Sequence, residues 1–177
     1  ALQVDDFSTM GNCLTLASHF GSLSEYVEAA LSRFDSDAMR MINGTFTTHT
    51  GTGTGTRPNV PPSSFMMLIA MVFERIDAAC KLLLPVIAPD SHSRLLSSLS
   101  VWAVGVTRAL TNQLAPLFAD TSDEKGENGM ICFVSLYVHC DEIAQRHPGL
   151  TLWPFVENVL QEFGIDTHPK TLTSNLS

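Results

Sequence analysis

Residues 61–89, PPSSFMMLIAMVFERIDAACKLLLPVIAP, constrain the fold more than any other stretch. Two prolines and two potential N-cap serines precede an unbroken apolar run over residues 65–73, and a second apolar block covers 82–84. Phe65, Leu68, Ile69, Val72, Ile76, Ala79 and Leu83 recur at helical spacing. Met66, Ala70, Phe73, Asp77, Cys80 and Leu84 do so on a second face. A helix apolar round most of its circumference is a buried one. The spacing therefore predicts a central helix over about residues 63–87, with the other helices packed around it.

The remaining periodicities are also helical. Asp5 and Asp6 can cap a first helix carrying Phe7, Met10, Leu14, Ala17 and Phe20, which Gly21 ends. Ser22 and Glu25 make a capping box, in which each side chain satisfies a free backbone donor. The stripe Leu23, Tyr26, Val27, Ala30, Leu31, Phe34, Ala38, Met41 follows, and Asn43-Gly44 supplies a helix stop. Late in the central stretch, Pro85 is expected to distort or end the helix, and Pro89 to stop it. Leu95, Leu99, Trp102, Val106, Leu110, Leu114 and Leu117 form the next stripe, with Pro116 at its end. Gly105, inside that stripe, is expected to permit a close helix crossing beside Trp102. Met130, Phe133, Val134, Tyr137, Cys140 and Ala144 are expected to face inward on a helix over residues 129–147. Thr151 can cap a last helix that buries Phe155, Val156, Val159, Leu160 and Phe163, with Gly164 as its stop. The expected fold is all-α, about six helices in a bundle or orthogonal array.

A length of 177 residues suits one domain, here residues 1–177. Two segments stand outside the helical pattern: a flexible Thr/Gly/Pro loop over 45–62 and a polar tail over 165–177. Ala1 stands where an initiating Met would, without a leader pattern behind it, so the chain is expected to be a processed product or a fragment. Charged residues are only 16%, against a usual ~25%. A surface so short of charge is covered partly by apolar and small polar groups, and such surfaces meet partners or second copies. The net charge of −8, with no run of Lys or Arg, argues against direct nucleic-acid binding. Glu74, Arg75, Asp77 and Lys81 interrupt the central stretch, so it is no membrane span.

Catalytic and metal signals are weak. Cys13, Cys80, Cys132 and Cys140 form no CxxC pair and sit in apolar helical patterns, which is where buried reduced thiols sit. One or two disulfides in an oxidising compartment are the alternative, and sequons at Asn43 and Asn175 would fit it. His139, Cys140 and Asp141 are adjacent in a helix and so point about 100° apart, which prevents them from sharing one ion. The acidic stretch 120–128 lacks the EF-hand pattern and reads as a solvated loop. The Thr-Gly repeat lacks the phosphate-loop pattern, and no GxSxG elbow is present. No cofactor and no metal is expected from these residues, and no catalytic residue is assigned. The methionines and phenylalanines remain: Met66, Met67, Met71, Phe73 and Trp102 are the candidates for lining either a groove for a partner or an apolar cavity, the latter in a small-molecule binding protein or an enzyme.

Two short stretches resemble the helical regulatory regions of fungal zinc-cluster transcription regulators. Ser135-Leu136-Tyr137-Val138-His139-Cys140-Asp141-Glu142-Ile143 is similar to their S-C-Y-[VL]-R-x-x-E-I pattern. Phe73-Glu74-Arg75-Ile76-Asp77-Ala78-Ala79 is similar to their L-[DE]-R-I-E-x-A pattern. The two segments occur here in reversed order, and the six-cysteine cluster is not in this chain. The resemblance implies a nuclear, non-catalytic effector domain that binds a protein partner or self-associates. The run from His139 to Leu160 also resembles the proximal helix and corner of globins, with His139 or His147 in the axial place, though no long final helix follows.

Overall fold

The apolar spacing of the central stretch does form a helix, and its neighbours are helices too. In the computed structural model, residues 10–12, 23–50, 62–87, 93–119, 123–165 and 167 are described. They contain α1 (Leu23–Thr50), α2 (Pro62–Ile87), α3 (Ser93–Ala119), α4 (Asp123–Arg146) and α5 (Trp153–Glu162). Residues 10–12 are helical and belong to the expected first helix; Gly11 lies beside Leu82 of α2. The described residues contain no strand. The fold is the expected all-α array.

Two helices share the centre. α2 packs against α1, α3 and α4, whereas α3 packs against all four of the others. Ile69, Val72, Ile76, Ala79 and Leu83 of α2 are wholly buried, as are Ala103, Thr107, Leu110, Thr111 and Leu114 of α3. Thr107 and Thr111 are tolerated there because each hydroxyl donates to the carbonyl four residues back, at 2.8 Å. Aromatic pairs fix the seams. Phe34 of α1 meets Trp102 of α3, with ring centroids 6.0 Å apart. Trp153 stands edge-on to both Phe133 and Tyr137, which are one turn apart on α4.

Helix ends depart from expectation where tertiary contacts outweigh local signals. α1 does not stop at Asn43-Gly44 but runs to Thr50, so residues 45–50 of the expected loop are helical. Phe46 stacks on Phe65 of α2 at 5.5 Å, and the Thr45 hydroxyl donates to the Met41 carbonyl. These contacts offset the ~1 kcal/mol that a helical glycine costs relative to alanine. Residues 51–61 lie outside the described residues. α4 begins at Asp123, within the stretch expected to be a solvated loop. Pro85 lies inside α2, which ends at Ile87 as the spacing predicts, whereas Pro116, expected to mark the end of its helix, lies inside α3, which continues to Ala119. Both prolines are exposed, as are Lys81 and Asn112, whose carbonyls each ring leaves without its helical donor. Those carbonyls can be hydrated, which lowers the cost of an interior proline.

At α5, Thr151 is not the cap: Leu152 holds that position without a side-chain bond, and Pro154 occupies the first turn. Gly164 does stop the helix. Its φ of +75° lets its own N–H reach the Gln161 carbonyl at 2.9 Å and the Ile165 N–H reach Leu160 at 3.0 Å, a Schellman end. Phe155 and Phe163, expected inside, are exposed, while Val156, Val159 and Leu160 form the buried stripe. In the expected tail, Thr167 is buried. Ser22, Pro89 and Asn175 lie outside the described residues, as does Cys13.

Gly105 serves no close crossing. It is exposed, and a Cβ built on it meets no atom within 4 Å. Replacing Gly105 with Ala should therefore stabilise α3 by about 0.5–1 kcal/mol, by lowering the entropy of the unfolded chain. Urea denaturation should show a higher midpoint at an unchanged m-value; a lower midpoint would show that the position is crowded after all.

Candidate functional site

The sequence-derived cavity residues do not converge on one cavity. Met66, Met67 and Met71 of α2 are all exposed, Met67 by 65%; Met67 and Met71 share one flank, and Met66 lies outside the groove they line. Their apolar run is so long that the helix cannot bury all of it. Helical geometry turns these three outward while Phe65, Leu68, Ile69 and Val72 turn in. Phe73 is buried, its ring 5.5 Å from that of His139 on α4. Trp102 lies on the far seam with Phe34, and its indole N–H is buried without a hydrogen-bond partner among the described residues.

Met67 and Met71 instead join Met41 and Leu68 along an open groove between the end of α1 and the start of α2. Its volume is about 380 Å³, and Gly44, Thr45, Ser63 and Ser64 complete its lining. Gly44 carries no side chain and Thr45 has its hydroxyl turned back to Met41, so this wall presents little polar bulk. Ser63 and Ser64 supply polar groups on the facing wall, and the flexible, polarisable thioethers can adapt to a partner's shape. Asn43 of the first sequon falls inside α1, immediately beside this groove.

A second constellation went unread in the sequence because its members lie far apart along the chain. Asp77 was placed on an apolar face of α2, and it is buried there. Lys81, one turn on, donates to Oδ2 at 2.7 Å. His147, just beyond α4, brings Nε2 to within 2.9 Å of Oδ1, and Nη1 of Arg146 lies 3.6 Å from Oδ2. Because a carboxylate only accepts, the His147 proton on this side sits on Nε2. Burial by itself would raise the Asp77 pKa. The hydrogen bonds from Lys81 and His147, with the charges of Lys81 and Arg146, outweigh it and hold the carboxyl below its ordinary value.

This clasp fixes the corner between α4 and α5. The His147 N–H donates to Ile143, and the Leu150 N–H donates to the His147 carbonyl, both at 2.8 Å, around Pro148-Gly149. Beside the corner opens a cleft of about 560 Å³. Cys80, Leu84 and Ile87 of α2 line it, with Ser93, Leu96, Leu99 and Ser100 of α3 and residues 146–150.

Among the described residues, Cys80, Cys132, Cys140 and His139 do not form a reactive centre. Burial pushes the thiol of Cys80 up to about 12, with the Asp77 carboxylate adding to the effect. Burial also raises Cys140 to about 12 and Cys132 to about 11. Thiols so shifted stay protonated near neutrality and are poor nucleophiles. The Nδ1–H of His139 donates to the Ser135 carbonyl at 2.8 Å. His139 and His147 thus face different neighbours, Phe73 and Asp77. Among the described residues, no three His, Cys, Asp or Glu side chains are grouped to hold a metal ion. No described helix is long and apolar enough to cross a membrane.

The pH response of the clasp has a definite sign. A carboxyl depressed in the folded state contributes stability above its unfolded pKa, and that contribution is lost as pH falls through the folded value. Replacing Asp77 with Asn should cost about 2 kcal/mol near neutrality, and the gap to wild type should narrow below about pH 4. Parallel urea titrations from neutral to acidic pH would measure this; a gap constant across that range would remove the charged carboxylate from the account. No family model matches the chain, and no curated protein and no solved structure was found to match it.

Proposed function

We propose that this chain is a non-catalytic helical interaction module that works in regulation by docking an apolar helix on the methionine groove of α1 and α2. The observation that carries the reading is the position of Met67 and Met71 with Met41: an open groove rather than an enclosed chamber. The low charge content, 16%, means that few surface charges oppose such docking. The protonated, buried thiols are consistent with this non-catalytic reading and fit an intracellular setting. The resemblance to the regulatory regions of zinc-cluster transcription regulators points to a nuclear role in transcription control.

A second copy of the chain is the simplest partner, since α2 itself presents Met67 and Met71, one turn apart, on one exposed flank. In that arrangement each protomer offers a methionine flank and receives one, as a two-fold interface requires.

The test is sedimentation of the wild type beside a variant carrying Met67→Asp and Met71→Asp. Both positions are exposed, so the helical circular dichroism signal should be unchanged. The wild type should associate with rising concentration, and the variant should remain monomeric. A wild type that stays monomeric into the high micromolar range would overturn self-association through this groove, and so would a variant that associates equally well.

A further inference from the structure

We propose that the cleft beside the α4–α5 corner is a binding site for an amphipathic carboxylate, a small molecule with an apolar body and one anionic head. This inference is independent of the methionine groove, which lies at the other end of α2. Three observations carry it. First, the cleft's volume of about 560 Å³ falls in the range of small-molecule sites, which run to roughly 300–1,000 Å³. Second, its depth is aliphatic: Leu84, Ile87, Leu99 and Leu150 form the walls, and the Cys80 thiol beside them is held protonated, so it presents no charge to an apolar body.

Third, the permanent charge lining the cleft is on one side, at Arg146, and it is positive; the hydroxyls of Ser93 and Ser100 on the α3 side are neutral. Arg146 and His147 line the cleft, and both belong to the Asp77 cluster. Asp77 contributes one negative charge, while Lys81 and Arg146 contribute two positive charges, which leaves an excess of one. The Arg146 contact with Asp77 is a loose one at 3.6 Å, and its side chain is 53% exposed. A guanidinium has five N–H donors in a planar fork, so donors remain for a second carboxylate arriving from the cleft. A cationic ligand would meet this excess charge unfavourably. An uncharged one would leave the guanidinium unused.

Titration calorimetry with dodecanoate and dodecanol separates these cases. The two probes share an apolar chain and differ in the head. Wild type should bind dodecanoate at least about tenfold more tightly than dodecanol, the value of one charge-assisted hydrogen bond. Arg146→Gln should remove that preference by weakening dodecanoate far more than dodecanol, while Arg33→Gln, at an exposed position of α1 outside the cleft lining, should preserve it. Leu84→Trp, which fills the cleft, should weaken both probes. Equal binding of the two probes by wild type would overturn the proposal, as would absence of binding by either. It would also fail if Arg146→Gln kept the preference, or if a folded Leu84→Trp protein bound both probes as wild type does. Should Leu84→Trp fail to fold, by circular dichroism, the comparison of Arg146→Gln with wild type decides.

Discussion

A buried carboxylate on the inner face of α2 organises one end of this molecule. Asp77 lies where an aliphatic side chain would be cheaper, and an isolated charge there would be costly. It is tolerated because Lys81 comes from its own helix, while His147 and Arg146 arrive from the end of α4. The energetic requirement to satisfy Asp77 thus becomes a positional requirement on the corner after α4. That corner sets the direction of α5, and its residues 146–150 form one side of the cleft. A buried ionic group of this kind is weak evidence for added stability. Its consequence here is geometric.

The rest of the core follows from helices whose apolar faces exceed one stripe. α2 and α3 bury residues on several sides, and α3 contacts every other helix. Interior prolines survive because they face solvent, and buried threonines survive because their hydroxyls bond back along the helix. The apolar surface left over is not scattered evenly. Met67 and Met71 share a flank at the start of α2, and the cleft collects aliphatic walls at its opposite end. A low charge content leaves such surfaces unscreened by long polar side chains.

Much of the fold was legible in the sequence because helical periodicity reports burial directly. The stripes on α2, α3 and α5 name most of the core, and Gly164 marks its helix end as expected. What local signals missed were outcomes decided by distant residues. Asn43-Gly44 reads as a stop, yet the stacking of Phe46 on Phe65 carries α1 onward. Gly105 reads as a crossing point and is open to solvent. The candidate methionines were visible as an over-long apolar run, but their outward direction was not, because a nine-residue run fits any face. Asp77 and His147 are 70 residues apart, so no local pattern joins them. The one available signal was a lone acidic residue on an otherwise apolar helical face, which demands a cationic partner.

The most direct test of this account is a double-mutant cycle between Asp77 and His147, with Asp77→Asn and His147→Ala made singly and together. Residues joined by a buried, charge-assisted hydrogen bond should show a coupling of about 1–2 kcal/mol in unfolding free energy. Purely additive losses, within ~0.3 kcal/mol, would mean that the carboxylate does not hold the corner, and the account of the α4–α5 end would fail.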